Sequence, residues 1–215
     1  MDLFPIRVAL PEVHACAQEI FFIDRRLFSP AYFASSIALV LGPLLKKQEG
    51  VLDRESMLLK IYKDIGRQIS QYSADVDAFN RKHPGKRLDV ALDFKVDGFI
   101  RIEDRVTLTL PLGSDPDVYA KDLFKAHQLP PGEVQTMFIF YFREEILRRI
   151  KKVVHEKPHP KKEVEKNNEN FQIKTPTVTL STTPEKLSQG SFYFDASGKV
   201  LRIKEERKKR KRSML

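Results

Sequence analysis

A plan of strand, strand, capped helix, Pro/Gly break and second helix occurs twice along this 215-residue chain, and it limits the fold more than any other feature. Residues Ile6-Arg7-Val8-Ala9-Leu10 and Leu88-Asp89-Val90-Ala91-Leu92 each open a stretch of alternating apolar residues. In the second copy Val90, Leu92, Phe94 and Val96 lead to Asp97-Gly98, a hairpin signal, and Phe99 to Leu110 supply the return strand. In the first copy Pro11 interrupts the pattern, and Glu19 to Ile23 form the return strand. Ser29-Pro30 and Asp115-Pro116 then start helices: the side-chain oxygen accepts from a free backbone N–H, and proline at the first helical position lacks one. These helices are expected to end at Gly42-Pro43 and near Leu129-Pro130-Pro131-Gly132. The second helices follow, with Leu58, Ile61, Ile65 and Ile69 on one face in the first copy and Val134, Phe138, Phe142 and Ile146 in the second.

The reading is an α+β fold of two tandem ββαα repeats, a flexible charged linker and a basic C-terminal helical arm; the alternative is one larger α+β domain whose halves are alike by coincidence. Residues 1–76 make the first repeat and 88–152 the second, with 73–87 as the joint. Residues 153–176 are charged and poor in apolar side chains, so they read as a linker unable to offset its folding entropy. Residues 177–215 form the C-terminal segment, in which Thr177 to Leu180 and Phe192 to Phe194 read as a short strand or an anchor against the body. Charge divides along the same line. Residues 1–150 carry 21 basic and 21 acidic side chains, so the net +9 of the chain lies wholly in the last 65 positions. A neutral body with a basic end is the pattern of a protein that meets an anionic partner through that end.

Several chemistries find no support. No apolar run approaches the ~18 residues of a membrane span, and the first 18 residues lack the layout of a secretory signal, so an intracellular protein without a membrane partner is expected. A single cysteine, Cys16, excludes an internal disulfide framework. His14 lies two residues away, but no third partner for a nucleophilic triad is visible. His155-Glu156-Lys157-Pro158-His159 matches the H-E-x-x-H string of zinc proteases, yet Pro158 and Pro160 deny it the helix that would bring both histidines to one face. No glycine-rich phosphate loop occurs. The acid pairs Glu144-Glu145 and Glu205-Glu206 read as solvated helix faces. No metal, cofactor or catalytic activity is expected.

Arg202 to Arg212 hold eight basic residues and two acidic ones. Free of Pro and Gly, the stretch from Lys199 reads as helical, with Glu205 and Glu206 four residues ahead of Lys209 and Arg210. The residues alone leave three roles open: docking on an acidic protein surface, nuclear import through Lys208 to Arg212, or contact with nucleic-acid phosphates.

The tandem plan resembles the repeats of the SNF-five family, the core subunit of SWI/SNF and RSC chromatin-remodelling complexes. The resemblance rests on residues 5–72 and 88–150. It is closest from Leu88 through Asp97-Gly98 to Asp104-Arg105-Val106-Thr107-Leu108. Ser29-Pro30-Ala31-Tyr32-Phe33-Ala34 and Asp115-Pro116-Asp117-Val118-Tyr119-Ala120 match the family's helix start, Gln128 to Gly132 its helix junction, and Ile61 to Tyr72 its closing helix. The family's tryptophan is absent, and residues 43–54 form an insertion. The resemblance implies a non-catalytic scaffold subunit in the nucleus, acting in transcription regulation. Its repeats would hold a scaffold subunit through a SWIRM-type domain within the remodeller ATPase complex. Its arm (Arg202, Arg207, Lys208, Lys209, Arg210, Lys211 and Arg212) would bind the nucleosome at the histone acidic patch, with DNA as a further contact. The competing readings are an RNA-binding or ribosome-associated accessory protein and a ubiquitin-pathway adaptor.

Overall fold

The described residues of the computed structural model are 2–10, 18–45, 54–109, 115–156, 176–181, 192–194 and 200–202, and they form an α+β fold. Strands β1 (Leu3–Ala9) and β2 (Gln18–Asp24) pair antiparallel, as do β3 (Arg87–Val96) and β4 (Ile100–Thr109). After β2 come α1 (Pro30–Tyr32), a π-helical turn (Phe33–Ile37) and α2 (Ala38–Leu45), then the long α3 (Arg54–Lys82). After β4 come α4 (Pro116–Ala126) and α5 (Glu133–His155). Three short strands follow: β5 (Thr177–Leu180), β6 (Phe192–Phe194) and β7 (Val200–Arg202). The strand order is β1-β2-β6-β7-β3-β4-β5. The two large hairpins join through β6 and β7 by one residue pair on each side, Gln18 with Phe194 and Val96 with Val200.

Local chemistry accounts for these elements. In β3 burial alternates at every position, so Leu88, Val90, Leu92, Phe94 and Val96 face the core. Gly98, at φ +75°, supplies the left-handed residue of the β3–β4 turn. Ser29 accepts from Tyr32 N at 3.2 Å and Asp115 from Asp117 N at 3.1 Å, so both helix starts are capped as their sequences require. At the end of α4, Leu129 N donates to Phe124 O and Gln128 N to Lys125 O, a Schellman closure with Gln128 at φ +53°.

The core is continuous from one hairpin to the other, and α5 lies at its centre. Phe138, Phe140 and Phe142 are all fully buried although they do not share one helix face. Phe138 meets Phe94 of β3, Phe142 meets Tyr119 of α4, and Phe140 meets Phe22 of β2. A helix apolar all round is one with structure on several sides.

Several boundaries differ from the sequence reading. The first helical segment does not stop at Gly42-Pro43 but continues to Leu45, because buried Leu41 and Leu45 outweigh the one helix bond that exposed Pro43 removes. Residues 73–82, expected in the joint, belong to α3, where Val76 and Phe79 extend the buried face of Ile65 and Ile69; the helix ends before Pro84-Gly85. Residues 153–155, expected in the linker, are the last of α5. Val200–Arg202, expected to begin the helical arm, form strand β7, whose β-branched and apolar start pairs with Val96 and with β6. Residues 157–175 and 203–215 lie outside the described residues.

Three outcomes follow from this packing. Phe138→Ala is expected to lower stability by about 3–5 kcal/mol in urea unfolding, as for an aromatic removed from a filled core. Gln128→Gly is expected to raise it by roughly 0.5–1 kcal/mol, since glycine takes the left-handed conformation without strain. Burial, and then the hydrogen bond and charge of Asp104, push the Tyr119 hydroxyl well above the usual tyrosine range; burial also raises Tyr141 and Tyr72. Unfolded tyrosine ionises at about pH 10 and the folded one resists. Stability is therefore retained below pH 10 and falls as pH rises above it. Melting temperatures measured from pH 9 upward should fall less steeply for Tyr119→Phe than for the unaltered chain.

Candidate protein-docking surfaces

Among the described residues β1 has no strand on its outer side and β3 meets β7 at one pair, and helix side chains decide how much of these two edges stays open. In β1, Asp2 O accepts from Arg25 N, so even-numbered residues turn their backbone groups toward β2 and odd-numbered ones turn outward. Leu3 O accepts from Arg143 Nη1 at 3.2 Å. Pro5 comes next, at a position whose missing N–H would have faced outward, so the ladder loses no bond. Arg7 N donates to Gln68 Oε1 at 3.3 Å and Arg7 O accepts from Gln68 Nε2 at 2.8 Å. One side-chain amide thus stands in for a neighbouring strand.

Beyond Gln68 the edge opens into a groove of about 480 Å³ between Val8-Ala9 and α3. Its floor is apolar, with Val8, Met57 and Ile61, and its rim carries Lys60, Lys63 and Arg67. Asp64, also at the rim, is engaged by Arg67 and by Gln68. An apolar floor inside a cationic rim fits a protein surface that presents an apolar anchor flanked by carboxylates. A second groove, of about 510 Å³, opens at Val90-Ala91 between β3 and α5. The two grooves fall at the same place in the two Val-Ala-Leu triplets.

The surfaces are held in position by two ion clusters that the sequence reading missed. Arg7 meets Glu144 with two bonds of 2.6 Å, donates to Gln18 at 2.9 Å and lies over the Phe140 ring. Arg143, almost fully buried, bonds Asp115 at 2.8 Å and Asp117 at 2.7 Å. Glu144 and Glu145 are therefore not a solvated face. Glu144 is half-buried against Arg7, and Glu145 is buried and ion-paired with Arg148, because α5 has structure on several sides. A visible signal existed: where the apolar run before them covers every side of the helix, charged residues on its next turn are buried in part, and a buried charge needs a partner.

Arg202 closes β7, beside β3, while Arg207, Lys208, Lys209, Arg210, Lys211 and Arg212 lie outside the described residues, as do His14, Cys16 and His159. His155 Nε2 sits 2.9 Å from buried Asp75, tying the end of α5 to α3. Among the described residues no three His, Cys, Asp or Glu side chains gather as a metal site, and no helix is long and apolar enough to cross a membrane. No protein-family model matches the chain, and no curated protein matches it.

Proposed function

We propose that the chain is a tandem of two ββαα repeats and serves as a non-catalytic core subunit of a SWI/SNF- or RSC-type chromatin-remodelling complex. The observation that carries this reading is the element order: hairpin, proline-started helical segment and long closing helix, in β1 to α3 and again in β3 to α5. The matching position of the two grooves supports it. In this reading the groove at Val8-Ala9 takes a scaffold subunit through a SWIRM-type domain. The arm from Arg202 to Arg212 docks on the histone acidic patch in the nucleus, arginine suiting a carboxylate pocket because its planar fork donates two parallel bonds.

The full chain, purified with its associated proteins and identified by mass spectrometry, is expected to bring down a remodeller ATPase and its scaffold subunit. Recovery of ribosomal or ubiquitin-system proteins instead would overturn the reading. Replacing Arg207, Arg210 and Arg212 together by lysine is expected to weaken nucleosome binding about tenfold at unchanged charge, as loss of paired planar contacts implies. Equal binding by the lysine variant, or equal binding to nucleosomes with a neutralised acidic patch, would assign the arm to phosphates or nuclear import.

A further inference from the structure

The β3 edge differs from the β1 edge in how it is finished. Val96 O accepts from Phe99 N to close the hairpin, so Val96 and every second residue before it turn their backbone groups toward β4. Asp89, Ala91, Asp93 and Lys95 turn theirs outward. Tyr141 Oη accepts from Asp93 N at 3.1 Å, and β7 pairs with β3 only at Val96. Among the described residues no group bonds the outward backbone of Asp89 and Ala91. These two border the groove at Val90-Ala91.

The opposite wall is one stripe of α5. Glu145, Arg148 and Lys152 recur at helical spacing, with Arg149 beside them, and Tyr141 lies one turn earlier, outside the groove. Arg105 of β4 also lines the space. Four cations thus line the space with two acids: Asp89 accepts from Thr107, Glu145 pairs with Arg148, and Lys152 is only loosely paired, 3.9 Å from exposed Glu156. Among the described residues Arg149 Nε is buried without a hydrogen-bond partner, and exposed Arg105 is held in no ion pair. An open strand edge offers main-chain bonds to any sequence, and the flanking side chains choose among sequences. Here they choose carboxylates.

We infer that the edge of β3 at Asp89 and Ala91 is a strand-addition site for an extended acidic peptide from a partner protein, its carboxylates meeting Arg148, Arg149 and Lys152. Tyr141, bonded to Asp93, marks the end of the site. The inference is independent of the remodeller reading, because it rests on the second hairpin and α5 and involves neither the arm nor the groove at Val8-Ala9.

The test is fluorescence anisotropy on the full chain with the labelled peptide Glu-Val-Glu-Val-Glu-Val-Glu. Two derivatives are compared, one N-methylated at every valine and one at every glutamate. A strand bonded along one edge uses the N–H groups of one parity only. One derivative is therefore expected to lose at least tenfold in affinity and the other to keep most of it. Attraction to the basic arm alone is indifferent to which set is methylated. Arg149→Gln combined with Lys152→Gln is expected to weaken the parent peptide about tenfold. Ala91→Pro, which removes an outward N–H and no β3–β4 bond, is expected to do the same with the melting transition retained. Equal affinity of the two methylated peptides, absence of saturable binding, or displacement of the peptide by a lower concentration of oligouridylate would overturn the proposal.

Discussion

The guanidinium of Arg143 is the contact on which the arrangement of the two halves depends. It issues from the central helix, donates to the backbone oxygen of Leu3 in the first hairpin, and bonds the carboxylates of Asp115 and Asp117 at the start of α4. Asp115 is itself the cap of that helix. A buried cation requires partners for its donors, and only a planar fork reaches three groups on two other elements at once. Arg7 and Glu144 repeat the arrangement one residue further along α5 in the opposite sense, the strand supplying the cation and the helix the acid. Together they fix how β1 lies along α5, and the apolar contact of Phe22 with Phe140 fills the space between the hairpin and the helix.

Tethers of this kind explain why two halves with separate hairpins share one core. A hairpin with one helix on its face buries little area by itself. Setting α5 against both hairpins, and α3 beside α5 through His155 and Asp75, lets each half complete the other's apolar surface. The open edges survive within this arrangement because the helices seal them only locally, with Gln68 at Arg7 and Tyr141 at Asp93.

Elements governed by local rules were legible in the sequence. The two capped proline starts, the hairpin at Asp97-Gly98 and the buried faces at Ile61, Ile65 and Ile69 and at Phe138, Phe142 and Ile146 all depend on residues within a few positions of one another. What was not legible involves partners far along the chain. Phe140 lies off the expected face of α5, and only the first hairpin, 118 residues upstream at Phe22, explains its burial. Glu144 looks like any surface acid until Arg7 is brought to it. Val200 to Arg202 carry both strand-forming residues and the beginning of a charge run; pairing with Val96 and β6 decides for the strand. The open edge at Ala91 is likewise a property of topology, since the same triplet in β1 sits on an edge that Gln68 partly covers.

Placement of β7 between the hairpins has a mechanical consequence. A pull on the chain beyond Arg202 enters the sheet along a strand that three residue pairs hold to β6 and one pair holds to β3. The large hairpins, with seven and ten pairs, are far stiffer than this seam. Load on the C-terminal end would accordingly shear β7 from β3 before either hairpin yielded. Such a load would part the bridge between the hairpins at its one-pair contact while the seven- and ten-pair ladders held.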